Sequence, residues 1–296
     1  MITLKQITYA LAVAKNLHFK KASELCFVSQ SALSTAITEM EKQLGFQVFE
    51  RDNKKVLITA VGANFLEKAQ QVKLQMNDIQ QLGQSLKAPL SYPMSIGIIP
   101  TIGPYLLPKV LPNVYQQYPC FKLSITEEQS KTLVNKVSKG ELDAGILALP
   151  YDIEGLLAFE FWQEDFYWVT HCNDPLSKQS EITSAELDVS HLMLLKEGHC
   201  LKDHALAACK LPSSTTNSSL ESTSLQMLVQ MVIGRMGTTL IPEMALEQLL
   251  SHSKLKAAHL NEPTPHRRIA FITRPNYSNG KNIELLIQLF RQQLKG

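Results

Sequence analysis

Two cysteines, Cys200 and Cys209, stand nine residues apart in a segment that also carries His199, Lys202, Asp203 and His204. A thiol in such company has two chemistries open to it. The first is nucleophilic: the thiolate attacks an electrophile, and a free cysteine with a pKa of about 8.5 needs cationic or dipolar help to ionise at neutral pH. Cys200 follows His199, lies two residues before Lys202 and precedes a stretch, Lys202 to Ala208, that reads as a helix. All three features favour its thiolate. The second chemistry is metal binding. His199, Cys200, His204 and Cys209 are four soft ligands, with Cys200 and His204 on one helical face, and zinc takes such donors. Their spacing fits no common zinc template, so neither a metal nor another cofactor is expected.

The other three cysteines, Cys26, Cys120 and Cys172, read as packing thiols, the usual fate of a free cysteine. An odd total of five argues against a structural disulfide framework. Beyond the cysteine segment no acid–base constellation is legible, and the chain is not expected to be an enzyme.

The elements around these residues divide into three stretches. Residues 1–59 read as a small helical module. Leu4, Ile7, Leu11 and Ala14 recur at helical spacing, and His18 to Leu25 forms a second helix with Ala22 and Leu25 facing inward. Cys26-Phe27-Val28 is a tight turn, and Ser29 offers a hydroxyl as cap for a third helix. There Leu33, Ile37, Met40 and Leu44 form the apolar stripe and Gly45 the stop. Gln30, Ser31, Ser34, Thr35 and Thr38 lie away from that stripe. A recognition helix needs such a polar face: Gln bonds an adenine edge twice, and Ser and Thr reach bases or thymine methyls. Ser29 belongs to the same surface. Lys20, Lys21, Arg51, Lys54 and Lys55 are placed to meet phosphate, which sets register without reading sequence. Val48 to Ile58, with its basic tip, reads as a hairpin wing.

Thr59 caps a long helix, about Ala60 to Leu86, whose residues Val61, Phe65, Ala69, Val72, Met76, Ile79 and Leu82 follow a near-heptad seam. Such a helix suits a dimer arm. Pro89 and Pro93 then break the chain, so residues 60–88 are expected to be the linker helix and 89–296 the regulatory domain. From Met94 strands and helices alternate in a βαβαβ order, implying a mostly parallel sheet covered by helices. A second unit opens near Glu164, and the last strand and helix, from Ile269 onward, return to the first. The expected division is subdomain I, about 92–163 and 268–296, and subdomain II, about 164–267. Ser213 to Ser224 reads as a loop.

The whole chain of 296 residues is 45% hydrophobic, enough for sizeable cores, and its formal charge is +2. Eight Lys and Arg against five Asp and Glu in residues 1–60 make the amino-terminal module mildly basic. That asymmetry suits a DNA-contacting module joined to a neutral one. No secretory signal opens the chain and no apolar run reaches membrane-spanning length, so a cytoplasmic protein without membrane contact is expected.

The run Phe19-Lys20-Lys21-Ala22-Ser23-Glu24-Leu25-Cys26-Phe27-Val28-Ser29-Gln30-Ser31-Ala32-Leu33-Ser34 resembles the signature of LysR-type transcriptional regulators. So does Leu44-Gly45-Phe46-Gln47-Val48-Phe49-Glu50-Arg51, and the match continues through Thr59, Gly62 and the long helix. The resemblance implies an α/β protein with an N-terminal winged helix-turn-helix and a long linker helix. A two-subdomain α/β effector domain like a periplasmic binding protein follows. It also implies a homotetramer, a dimer of dimers, on double-stranded operator DNA, with RNA polymerase as a further partner.

Most such regulators bind a metabolite. Here the segment Glu197-Gly198-His199-Cys200-Leu201-Lys202-Asp203-His204-Ala205-Leu206-Ala207-Ala208-Cys209 is similar to the redox segment of the family's peroxide-sensing members. Ile99-Pro100-Thr101-Ile102-Gly103-Pro104-Tyr105-Leu106-Leu107-Pro108 resembles their first βα turn. The resemblance implies that hydrogen peroxide reacts at Cys200, that Cys209 resolves the product as a disulfide, and that a thiol-reducing system resets it. It carries over to Thr101, Ser130 (where those members commonly have threonine), His199, Asp203 and Arg274 as peroxide-binding groups. Lys202 departs from the usual arginine, keeping the charge and losing the bidentate fork. If the segment between the cysteines is helical, their Cα atoms stand about 13 Å apart, and a disulfide tolerates about 4.4–6.8 Å. Bond formation then requires unwinding. A metabolite-responsive regulator with incidental cysteines remains the alternative from sequence.

Overall fold

In the computed structural model the structure describes residues 1–52, 55–85, 88–212, 222 and 224–295. Two units separate, Met1–Gly83 and Gln84–Gly296.

The first unit begins with helix α1 (Leu4–Asn16), opened by a reciprocal capping box between Thr3 and Gln6. Helix α2 (Phe19–Leu25) follows, then α3 (Gln30–Leu44). The Ser29 hydroxyl accepts from the Ala32 N–H at 3.2 Å, and Gly45 closes α3 at φ 76°, a left-handed value suited to glycine. Strands β1 (Phe49–Asp52) and β2 (Lys55–Ile58) pair antiparallel from Phe49 opposite Ile58. The buried Glu41 carboxylate accepts from the Val48 and Phe49 N–H groups at 2.8 and 3.0 Å, fixing the wing to α3. Tyr9, Ala10, Val13, Ala22, Leu33, Ile37 and Met40 fill the core. Ala22 is buried as expected, whereas Leu25 is 61% exposed. Leu25 is the last residue of α2, where the chain leaves helical geometry and its side chain leaves the inward stripe. Thr59 caps α4 (Ala60–Ser85) by accepting from the Gly62 N–H at 2.8 Å.

The second unit holds two five-stranded sheets. Its elements run β3 (Met94–Ile98), α5 (Gly103–Gln117), β4 (Leu123–Glu127), α6 (Ser130–Ser138), β5 (Ala144–Leu149) and β6 (Leu157–Glu164). They continue through β7 (Phe166–His171), β8 (Glu181–Ile182), β9 (Leu192–Met193), α7 (Cys200–Ala208) and α8 (Leu225–Ile233). The rest are β10 (Thr238–Pro242), α9 (Leu246–Leu249), β11 (Leu255–Leu260), β12 (Arg267–Thr273) and α10 (Gly280–Leu294). One sheet has the order β4-β3-β5-β12-β6 and the other β8-β11-β7-β10-β9. Strand β12 does return to the first sheet.

The expected mostly parallel sheet is mixed. β3 pairs parallel with β4 and β5, but β12 runs antiparallel to both β5 and β6. The sequence reading missed β6 and β11. β6 lies at a sheet edge and buries little of its first half; β11, with Lys, two Ala and His, is held by its pairing to β7 rather than by propensity. Gly97 in β3 lets α6 approach closely, since a methyl group there would stand 2.2 Å from the Leu133 side chain. The loop expected over Ser213 to Ser224 lies, apart from Ser222 and Ser224, outside the described residues.

Candidate functional site

The parallel strands β3, β4 and β5 end on one side of their sheet, where ligands of open α/β sheets are bound. Thr101 lies just beyond β3, Gln129 and Ser130 just beyond β4, and Pro150 and Tyr151 just beyond β5. Helix α7 meets this row of strand ends through two contacts. His199 Nε2 is 3.4 Å from Gln129 Nε2, and His204 Nε2 is 2.8 Å from the Pro150 carbonyl oxygen. Cys200, the first residue of α7, sits between them and is 2% exposed. Gly198 makes the approach at φ 97°, and a methyl group there would stand 2.8 Å from the Gln129 amide oxygen.

The charged group at this place is an arginine the sequence reading passed over. Arg267, the first residue of β12, is fully buried; its Nη2 donates to Thr101 Oγ1 at 3.1 Å. Its Nη1 lies 3.1 Å from Glu164 Oε1, both side chains being almost wholly enclosed. That contact is an ion pair without hydrogen-bond alignment, and Arg267 Nε has no partner among the described residues. Buried donors left unpaired are uncommon, and a catalytic role is one reason a protein keeps them. Glu164 is anchored by the Met244 N–H, which donates to Oε2 at 3.0 Å. Burial pushes the Glu164 carboxyl up, against the pull of Arg267.

Ser130 is 1% exposed and its hydroxyl has no partner among the described residues. Asp203 is exposed on α7. Burial, and after it the charges of Cys200 and Asp203, push the Tyr151 phenol up. Lys202 is buried at 9% exposure. Burial holds the His199 imidazole below its ordinary value. That shift runs against the cationic help expected of His199. Burial and then Arg267 hold His204 down to about 4. Because the Pro150 oxygen only accepts, His204 Nε2 carries the proton and Nδ1 is a bare, buried acceptor.

Arg274 does not join this group. Its Nη1 donates to the Val137 and Leu142 carbonyls at 3.2 and 2.9 Å, and its guanidinium stacks on Tyr277. It closes the far end of α6, whose near end carries Ser130. Arg267 and Arg274 stand at opposite ends of one strand and its exit, and only position in the sheet distinguishes them. Cys209 caps α7 and is 3% exposed. Eight helical residues lie between the two cysteines, nine steps along the axis and a rise of about 13 Å. Of the three thiols expected to be packed, Cys26 and Cys172 are partly buried and Cys120 is exposed, since Cys120 lies in the turn between α5 and β4. Among the described residues no group of three or more His, Cys, Asp and Glu is arranged to hold a metal ion.

In the first unit Lys20, Lys21, Ser29, Gln30, Ser31, Thr35 and Lys55 are exposed, and Ser34 and Thr38 partly so. Lys54 and the side chain of Arg51 lie outside the described residues. No helix among the described residues is long and apolar enough to cross a membrane.

Residues 4–63 match the bacterial regulatory helix-turn-helix protein of the lysR family, and residues 87–295 the LysR substrate binding domain. The chain is 34% identical over 291 residues to the HTH-type transcriptional regulator EstR of Acinetobacter baylyi, covering 98% of this chain and 96% of that protein. It is 33% identical over 295 residues to a probable hydrogen peroxide-inducible genes activator of Streptomyces viridosporus, covering 99% and 95%. Its fold matches a full-length OxyR from Pseudomonas aeruginosa bearing a cysteine-to-aspartate substitution, with a TM-score of 0.81, 33% identity and coverage of 98% and 95%.

Proposed function

The chain belongs to the LysR family of non-enzymatic bacterial transcriptional regulators, and from that premise we propose that it is an OxyR-like regulator that senses hydrogen peroxide through Cys200 and Cys209. In this reading residues 1–59 bind operator DNA, 60–88 pair two chains, and 89–296 sense peroxide in the cytoplasm. The exposed face of α3, from Gln30 to Thr38, reads base edges. Lys20, Lys21 and Lys55 meet phosphate, as do Arg51 and Lys54.

The observation that carries the reading is the setting of Cys200. It is bracketed by the contacts of His199 and His204 to strand ends where the Ser130 hydroxyl and Arg267 Nε are buried without partners. Hydrogen peroxide is small, and both donates and accepts hydrogen bonds. Arg267 and Thr101 polarise its leaving oxygen while the Cys200 thiolate attacks the other. The sulfur–oxygen bond forms, the oxygen–oxygen bond breaks, and the leaving hydroxide takes the proton given up by the thiol and departs as water. Cys200 becomes a sulfenic acid. Cys209 then attacks that sulfur, a disulfide forms and a second water leaves. The helical separation means that α7 unwinds first. Unwinding remodels the regulatory domain, alters the tetramer's grip on DNA and its contact with RNA polymerase, and activates oxidative-stress genes. A thiol-reducing system returns both cysteines.

Mass mapping of the full-length protein after brief stoichiometric peroxide tests this. A Cys200–Cys209 bond is expected, lost in Cys200→Ser. Oxidation confined to Cys120, or none, would overturn the reading.

A further inference from the structure

Among the described strands the chain passes from one sheet to the other twice. Asp165 alone separates β6 from β7, and residues 261–266 lead from β11 into β12. β6 and β12 belong to one sheet, β7 and β11 to the other. Any change of angle between the sheets must be absorbed at these two crossovers.

A buried histidine joins them. His266 ends the second crossover, and its side chain is fully enclosed. Its Nδ1 accepts from the Phe166 N–H at 2.9 Å, and its Nε2 lies 3.3 Å from the Glu262 carbonyl oxygen. A ring nitrogen that accepts from an amide carries no proton, so the proton sits on Nε2 and the ring is neutral while that bond holds. The ring also stacks on Phe166, with centroids 5.8 Å apart and 12° between the planes. From the first crossover, Asp165 Oδ1 accepts from the His266 N–H at 3.4 Å, and Asp165 Oδ2 lies 3.0 Å from His259 Nε2 on β11. Tyr167 packs edge-on to His259, and Glu243, just after β10, donates its N–H to the Asp165 carbonyl at 3.0 Å.

The chain neighbours of this latch are the ion pair of the candidate site: Glu164 precedes Asp165, and Arg267 follows His266. We infer that His266 is a positioning residue whose neutral Nδ1 latches the two crossovers, so that Arg267 meets Glu164 and Thr101 together, and that a proton on Nδ1 opens the latch and disturbs that placement. The inference rests on the proposed role of Arg267 at Cys200. A protonated Nδ1 would face the Phe166 N–H donor to donor. The carboxylate at hand is Asp165, whose Oδ1 lies 3.8 Å away, so the imidazolium turns toward it and competes with His259. Burial holds the His266 imidazole below its ordinary value; Asp165 and Glu262 pull it up and His259 pushes it down. An opened chain therefore binds that proton more readily, and acid favours opening below the usual histidine range.

The test uses the full-length reduced chain. Histidine 15N NMR is expected to show His266 as the tautomer protonated on Nε2 at about pH 7.5. Hydrogen exchange, corrected for intrinsic rates, should show the Phe166 amide losing about tenfold of its protection between about pH 7.5 and 5.5, the size of one hydrogen bond. Both readouts need no substitution. His266→Asn keeps an acceptor that no proton blocks, and His266→Leu has none. By stopped flow at about pH 7.5, peroxide oxidation of Cys200 should be about tenfold slower in His266→Leu and rescued in His266→Asn. Loss of the Cys200 thiolate slows all variants alike in acid, so the ratio of the unsubstituted rate to that of His266→Asn isolates the latch; it should fall about fivefold by about pH 5.5. Equal slowing by both substitutions would mean lost packing and would overturn the inference. So would a ratio flat with pH, the other tautomer, or Phe166 protection that ignores the His266 titration. A chain in which Phe166 protection follows His266 while peroxide leaves Cys200 untouched would sink the redox reading and leave the latch standing.

Discussion

Arg267 and His204 are a buried guanidinium and a buried imidazole at the candidate site, and each carries a distinct prediction. Arg267 is buried, bonded to Thr101 and paired with Glu164. Replacing it with Gln removes a charged donor from the leaving oxygen. Stopped-flow oxidation of Cys200 should slow about 100-fold, the usual cost of one transition-state donor. Arg267→Ala adds the penalty of a stranded Glu164 carboxylate, about 3–5 kcal/mol of stability by urea unfolding. His204 predicts a pH effect. Its proton-binding value falls from 6.5 unfolded to about 4 folded, so between those limits the unfolded chain holds more protons. Stability should therefore fall as pH drops from 6.5 toward 4, by about 3 kcal/mol over the window. His204→Gln keeps a donor for the Pro150 carbonyl and should flatten that part of the stability profile; an unchanged slope would remove His204 from the account. The cysteines and Thr101 were legible in the sequence because motif and residue type coincide there. Arg267 was not, because nothing local separates Arg267 from Arg274. The choice is made by which end of β12 meets α7.

In the proposed mechanism helices α3 and α7 do opposite work, α3 staying folded on DNA and α7 coming apart. The capped ends of α3 and its apolar stripe were readable because short-range rules decide them: Ser29 before it, Gly45 after it, and apolar residues between. Its exposed polar face predicts that Gln30→Ala relaxes base discrimination by about 1–3 kcal/mol. Lys21→Ala should weaken binding to all sequences alike and reduce the salt slope by about 1. Fluorescence anisotropy with operator and random duplexes separates the two. α7 was also legible as a helix. What it packs against was not, since Gln129 and Pro150 reach it from distant strands. Ala207 is exposed on α7. Ala207→Gly should weaken the helix by about 1 kcal/mol, which converts to disulfide closure about fivefold faster. Strands β6 and β11 escaped the reading for the same reason: pairing with neighbours, not local preference, makes them strands.

At the scale of the whole molecule, α4 keeps Val61, Val72 and Ile79 at 52%, 40% and 59% exposure, open to a second chain in the proposed dimer. These residues belong to the seam read from the sequence. Val72→Asp should shift the protein toward monomer in sedimentation velocity and weaken operator binding at least tenfold. Assembly, like the sheet topology, depends on surfaces meeting across distance, and a single sequence records only the apolar half of that bargain. The central claim is that peroxide joins two sulfurs which α7 holds apart, and that their joining changes how the regulator holds DNA. The most direct measurement follows both events in one sample: disulfide mapping of Cys200 and Cys209 alongside footprinting of the bound operator, at matched times after a stoichiometric pulse of peroxide. The account predicts that the bond and the altered footprint rise together and that both vanish on reduction. A footprint that changes with Cys200 and Cys209 still reduced, or a completed bond under an unchanged footprint, would contradict it.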